Sequence, residues 1–131
     1  MTRPVDSDKA KNYLKKAEGS LAMAKIALNH REYDNAVMSA VHSAINGLDA
    51  LTTLYLGKRA SGTHSDVLSL VSGIFTPAEY REIQKQFTSL MSLKNASEYQ
   101  PILMSRDQAE KSITWSERIL AKVKARLKDL G

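Results

Sequence analysis

Residues 34–57, DNAVMSAVHSAINGLDALTTLYLG, carry the pattern from which the architecture follows. Val37, Val41, Ala44, Leu48, Leu51 and Tyr55 recur at alternating steps of four and three, which places them on one face of an α-helix. Ala36, Ala40, Ile45 and Leu54 widen that face into a stripe suited to burial between neighbours. Asp34 is the expected N-cap, and Gly57 stands where a helix commonly ends in a left-handed residue.

On the N-terminal side, Ala10, Leu14, Ala17, Leu21, Ala24 and Leu28 repeat the same spacing, predicting a helix from about Ser7 to His30. Asp6 or Ser7 is its expected cap, and Lys11, Lys15, Lys16 and Lys25 fall off its apolar stripe. Gly19 is either a mild cost inside this helix or a point of close approach. A turn at Arg31–Tyr33 is short enough to make the two helices antiparallel neighbours.

On the C-terminal side, the polar loop KRASGT precedes a short helix from about His64 to Ile74, with Thr63 as its cap. Thr76, Pro77 and Glu79 combine a cap, a proline at the first helical position and an acid at the third. The helix they open is expected to reach about Lys94. Residues 95–104 are expected to form an ordered loop that packs Tyr99, Ile102 and Leu103 onto the bundle, because Gln100–Pro101 cannot remain helical. Ser105 and Gln108 form a second capping box before a last helix along Ala109, Ile113, Ser116, Leu120, Val123, Leu127 and Leu130. No segment alternates like a strand. The prediction is all-α: an up-and-down bundle of four long helices plus one short helix, with residues 1–131 forming a single domain.

Composition sets the outer limits. With 43% hydrophobic and 25% charged residues the chain is ordinary for a globular protein and unlike a disordered one. The absence of cysteine excludes disulfides, cysteine zinc sites and thiol catalysis. No signal-type or membrane-spanning apolar run occurs, so a cytoplasmic location without membrane contact is expected. The net charge of +5 is uneven: residues 7–31 carry six Lys/Arg against two acids, and residues 106–131 carry seven against four. That excess suits a solvated helix face, or a shallow positive field that attracts RNA or another polyanion. A helix-turn-helix DNA reader is disfavoured, because no short helix presents several Arg, Asn or Gln residues.

Chemistry-bearing residues are few. No phosphate loop, HExxH, GxSxG or calcium loop occurs, and His30, His42 and His64 lack metal-ligand spacing, so neither a metal nor a cofactor is expected. His42, Asn46 and Asp49, at steps of four and three, stack along one flank of the second helix. They form either a polar margin of the core or one wall of a polar pocket. Asp49 is set among Leu48, Ala50 and Leu51, where a buried carboxylate needs a partner. Candidate partners follow in Arg59-Ala60-Ser61-Gly62-Thr63-His64. An arginine can neutralise charge developing on a phosphate, and an imidazole can move a proton near neutral pH. The pair suffices for metal-independent RNA cleavage through attack of the 2′-hydroxyl, although His64 would equally serve as a capping or packing residue.

The stretch from Asn35 to Leu70, with its alanine-rich helix running into LDAL, Gly stop, basic loop and His before an apolar helix, resembles HEPN domains. So does the later NASEYQPILMSRDQAEKSITWSERIL, and the resemblance is nearest to small stand-alone bacterial members of actinobacterial type. It implies a helical bundle that dimerises, with any RNA site at the dimer cleft. It also implies either a metal-independent ribonuclease of toxin or defence type carrying Arg-x4-6-His, which Arg59 and His64 match, or a nucleotide-binding module. Lys58, Lys94 and Tyr99 join His42, Asn46 and Asp49 as candidate binding residues. The competing expectation is a non-catalytic homodimeric module or an adaptor for a partner protein.

Overall fold

The central helix is α2 (Tyr33–Leu56), because its small and branched residues let neighbours approach from several sides. The computed structural model describes residues 2–4, 6–60 and 64–129, with residues 3, 4, 64, 65 and 129 described by their backbone alone. A 3₁₀ turn (Ser7–Lys9) leads into α1 (Ala10–Asn29), and α3 (His64–Val71), α4 (Pro77–Tyr99) and α5 (Arg106–Asp129) follow α2. The all-α bundle is therefore as anticipated. One local feature departs from it: β1 (Thr2–Pro4) and β2 (Lys58–Ala60) pair antiparallel, with Arg3 opposite Arg59. Three-residue strands are too short to reveal themselves by alternation.

Val37, Val41, Ala44, Leu48 and Leu51 of α2 are fully buried, together with Ile83, Phe87 and Leu90 of α4 and Ile119 and Val123 of α5. Against α1, α2 presents Ser43, whose hydroxyl donates to the Ala17 carbonyl at 2.7 Å. A Cβ placed on Gly47 would meet Leu120 Cδ1 at 3.2 Å, Val123 Cγ2 at 3.7 Å and Ala17 Cβ at 3.9 Å. Gly47, not Gly19, is thus the point of close approach, since a Cβ on Gly19 would meet nothing within 4 Å.

The helix ends follow local chemistry. Arg31 takes a left-handed conformation (φ 62°), and the N–H groups of Glu32 and Arg31 donate to Ala27 and Leu28, closing α1 with a Schellman motif. Gly57 closes α2 in the left-handed region (φ 64°). Both boxes form: Glu79 N–H donates to Thr76 Oγ1 while Thr76 N–H donates to Glu79 Oε1, and Gln108 and Ser105 reciprocate in the same way. The Glu79 carboxylate also pairs with Arg126 of α5. The Thr76 backbone N–H, then the Arg126 guanidinium, hold its pKa below the usual carboxylate range. Thr63 and Leu130 lie outside the described residues.

Five expectations are corrected. Asp34 is not a cap; inside the first turn of α2, its carboxylate accepts from Ser97 Oγ at 3.0 Å and from Met104 N–H at 3.4 Å, a tertiary role that local spacing cannot disclose. The side chain of Asp6 makes no capping bond either. Helix α3 stops at Val71, short of Ile74. Helix α4 runs past Lys94 to Tyr99, because nothing breaks it before Gln100, whose extended backbone (ψ 140°) is what the following proline requires. A Lys94–Glu98 pair at 2.9 Å supports the added turn. Tyr99, Ile102 and Leu103 consequently face solvent at 78%, 51% and 87% exposure, and Met104 is the residue of that segment that enters the core.

The two glycines should respond oppositely to substitution. Gly19→Ala, in open space, should stabilise by about 0.5–1 kcal/mol through helix propensity. Gly47→Leu should destabilise by at least about 2 kcal/mol, because the space beyond Cβ belongs to Leu120 and Val123. Urea midpoints measure both, and equal effects would contradict the packing described.

Candidate functional site

The flank of α2 that bears Ser39, His42 and Asn46 is not covered by a helix along its first half. With Lys16, Gly19 and Met23 of α1 it lines a shallow groove of about 610 Å³. Asn46 braces this flank by donating through Nδ2 to the His42 carbonyl at 3.0 Å. Gly19 widens the groove by contributing no side chain. One turn beyond Asn46 the flank passes into the interior. Asp49, Thr52 and Thr53 are all buried there, and β2 and α3 both contact this helix.

Asp49 is 4% exposed, and its Oδ1 has no hydrogen-bond partner. Burial pushes its pKa from 3.8 up to about 6, against the opposing pull of the Arg59 guanidinium. Thr53 Oγ1, one turn further along the helix, is likewise buried without a partner. A carboxyl in this state is poised to gain or lose a proton near neutrality.

Arg59 is set by the pairing of β2 with β1 and lies 6.0 Å from the centroid of the Tyr13 ring. Lys16 Nζ approaches the same ring, also at 6.0 Å. Tyr13 therefore carries two cations at the outer limit of cation–π reach, at the Asn46 end of the groove. Sequence spacing singles out neither Tyr13 nor Lys16 as a site residue. The available signal is an aromatic set off the apolar stripe of α1, three residues before a lysine.

The candidate residues thus divide. The Arg59 charge acts on Asp49 without an ion pair between them, and Arg59 and Lys16 each approach the Tyr13 ring; His42 and Asn46 line the groove; Lys58 is exposed on β2. Lys94 lies on α4 in its ion pair with Glu98, and Tyr99 ends that helix in solvent. Glu98 is held below the ordinary carboxylate range by Lys94 first, with His42 the smallest contribution. His64 opens α3; its side chain, with Ser61, Gly62 and Thr63, lies outside the described residues. Among the described residues no cluster of three metal-ligating side chains occurs, and no helix is long and apolar enough to cross a membrane.

The described residues form an all-α bundle whose central helix carries a shallow groove on one flank and a buried carboxyl one turn beyond it. The family model for the HEPN domain matches residues 10–126, and the chain belongs to the HEPN family. Its fold is similar to the crystal structure of TT1696 from Thermus thermophilus, with a TM-score of 0.75 and 21% identity over 90% of this chain and 98% of that one. No curated protein matches the sequence.

Asp49 makes stability pH-dependent in a definite direction. Below pH 3.8 the group is protonated both folded and unfolded, and its burial costs nothing as a charge. Stability falls as the pH rises from 3.8 to about 6, and above that the full penalty, about 3 kcal/mol, is present. Asp49→Asn should accordingly be more stable than wild type at pH 7.5, by about 1–3 kcal/mol, and lose that advantage near pH 4. Urea denaturation at the two pH values measures this, and a difference unchanged with pH would show that the carboxyl is not the source.

Proposed function

We propose that this chain is an RNA- or nucleotide-binding HEPN protein acting as a single domain in the cytoplasm, and that it cleaves RNA without a metal, in the manner of a toxin or defence ribonuclease. The observation that supports the reading is the buried Asp49, on whose carboxyl the Arg59 guanidinium acts, one turn beyond the groove of His42 and Asn46, with Arg59 five residues before His64. In this reading His64 takes the proton from a 2′-hydroxyl, whose oxygen attacks the adjacent phosphorus, and a proton is returned to the leaving 5′-oxygen. Arg59 binds the phosphate and neutralises the charge that builds on its oxygens. Asp49 steadies and tunes Arg59, while Lys16, Lys58, His42 and Asn46 hold the flanking strand. Lys94 and Tyr99 belong to a more distant rim. No residue in this scheme calls for a cofactor.

The test is cleavage of single-stranded RNA by the purified chain in excess chelator. Arg59→Ala and His64→Ala should each lower the rate by about 100-fold or more, with folding intact by circular dichroism. Cleavage that persists unchanged in both variants removes this site from consideration.

A second reading, a non-catalytic homodimeric or adaptor module, is favoured by one observation: the exposed apolar cluster of Tyr99, Ile102 and Leu103 between α4 and α5. Such a cluster suits burial against another surface. It predicts that the chain sediments as a dimer and that Ile102→Asp with Leu103→Asp yields a monomer. A wild-type chain that is monomeric at high concentration, or a dimer indifferent to both changes, would count against it.

A further inference from the structure

At the opposite end of α1 from its turn into α2, three helices leave a second cavity that takes no part in the chemistry above. The start of α1, the end of α2 and the end of α5 enclose about 700 Å³, a volume typical of a small-molecule site. Leu14, Leu54 and Leu127 form apolar walls, and each remains half-buried rather than closed over. Lys11, Lys124 and Lys128 rim the cavity. Lysine stems extend apolar surface while their ammonium groups remain in water, so the opening is apolar within and cationic at its edge.

The charge at the rim is not cancelled internally. Lys124 pairs with Glu18 at 3.1 Å, but Lys11 and Lys128 have no ion-pair partner among the described residues. Asp8 is the one acid in the lining, against three lysines. A neutral apolar ligand would fill the walls and leave the cations unused, whereas a bare phosphate would engage the cations and leave the leucines wet. The occupant that satisfies both is an amphipathic anion, an unbranched acyl chain ending in a carboxylate.

We propose that this cavity is a binding site for such acyl carboxylates, with the chain against Leu14, Leu54 and Leu127 and the carboxylate held by Lys11 and Lys128. The site is separate from the Arg59 groove and does not depend on RNA cleavage.

The experiment titrates the full chain with octanoate, decanoate and dodecanoate below their micellar concentrations, followed by calorimetry and by amide NMR shifts. Affinity should tighten by roughly fourfold for each added methylene, the increment that burial of one such group supplies. Shifts should centre on Leu14, Leu54 and Leu127. Decyltrimethylammonium and inorganic phosphate should not compete. The double variant Lys11→Gln, Lys128→Gln, with an unchanged melting temperature, should bind decanoate about tenfold more weakly, and Leu127→Asp should abolish binding. Equal binding of the cationic amphiphile, affinity independent of chain length, or an unchanged double variant would each overturn the assignment.

Discussion

The structure depends on how closely α2 lies against its neighbours. At Gly47 the backbone of α2 meets Leu120 and Val123 of α5 and Ala17 of α1, all within van der Waals distance of where a Cβ would be. That approach lets α1 and α5 flank α2 while α4 packs along a third side with Ile83, Phe87 and Leu90. Dense packing on these sides leaves one flank of α2 for other uses. Along its first half that flank is the polar groove of Ser39, His42 and Asn46; along its second half it turns inward with Asp49, Thr52 and Thr53. The groove and the buried carboxyl are consecutive turns of one helix, kept in register by the same core.

Much of this is legible along the chain, for reasons that are local. Stripes at helical spacing record burial in the middle of the helices, where Ala17, Ala24, Val37, Val41, Ala44, Leu48 and Leu51 all lie inside. They record it less well at the helix ends, where Leu14, Leu28 and Leu127 are half-buried and Tyr55 is exposed. The Thr76–Glu79 and Ser105–Gln108 boxes form because every group they need lies within three residues. Errors arise where distant residues decide. Asp34 bonds to Ser97 and Met104, more than sixty positions away, and so abandons the cap. The end of α4 is easily misplaced because polar composition suggests a loop, whereas only Pro101 enforces one. The exposure of Tyr99, Ile102 and Leu103 shows that apolar character alone does not determine which residues of a turn are covered.

The site is legible in the same uneven way. The apolar neighbours of Asp49 in sequence signal its burial, and Arg59 is the charge that acts on it. Tyr13 and Lys16 reach Arg59 across more than forty residues, through the pairing of helices and the β1–β2 ladder, and no spacing rule spans such an interval. The arrangement is also costly, since the carboxyl is held away from water with one oxygen unpartnered. A cost of this kind is retained more readily at a working site than in a passive scaffold.

The decisive measurement is a site-specific titration of the Asp49 carboxyl by carbon NMR, in the wild type and in Arg59→Gln. The native chain should titrate with a midpoint near 6. The variant should show a higher midpoint, because the guanidinium that favours the ionised form is gone. A midpoint near 3.8, identical in the two proteins, would mean that the carboxyl is hydrated and the arginine remote.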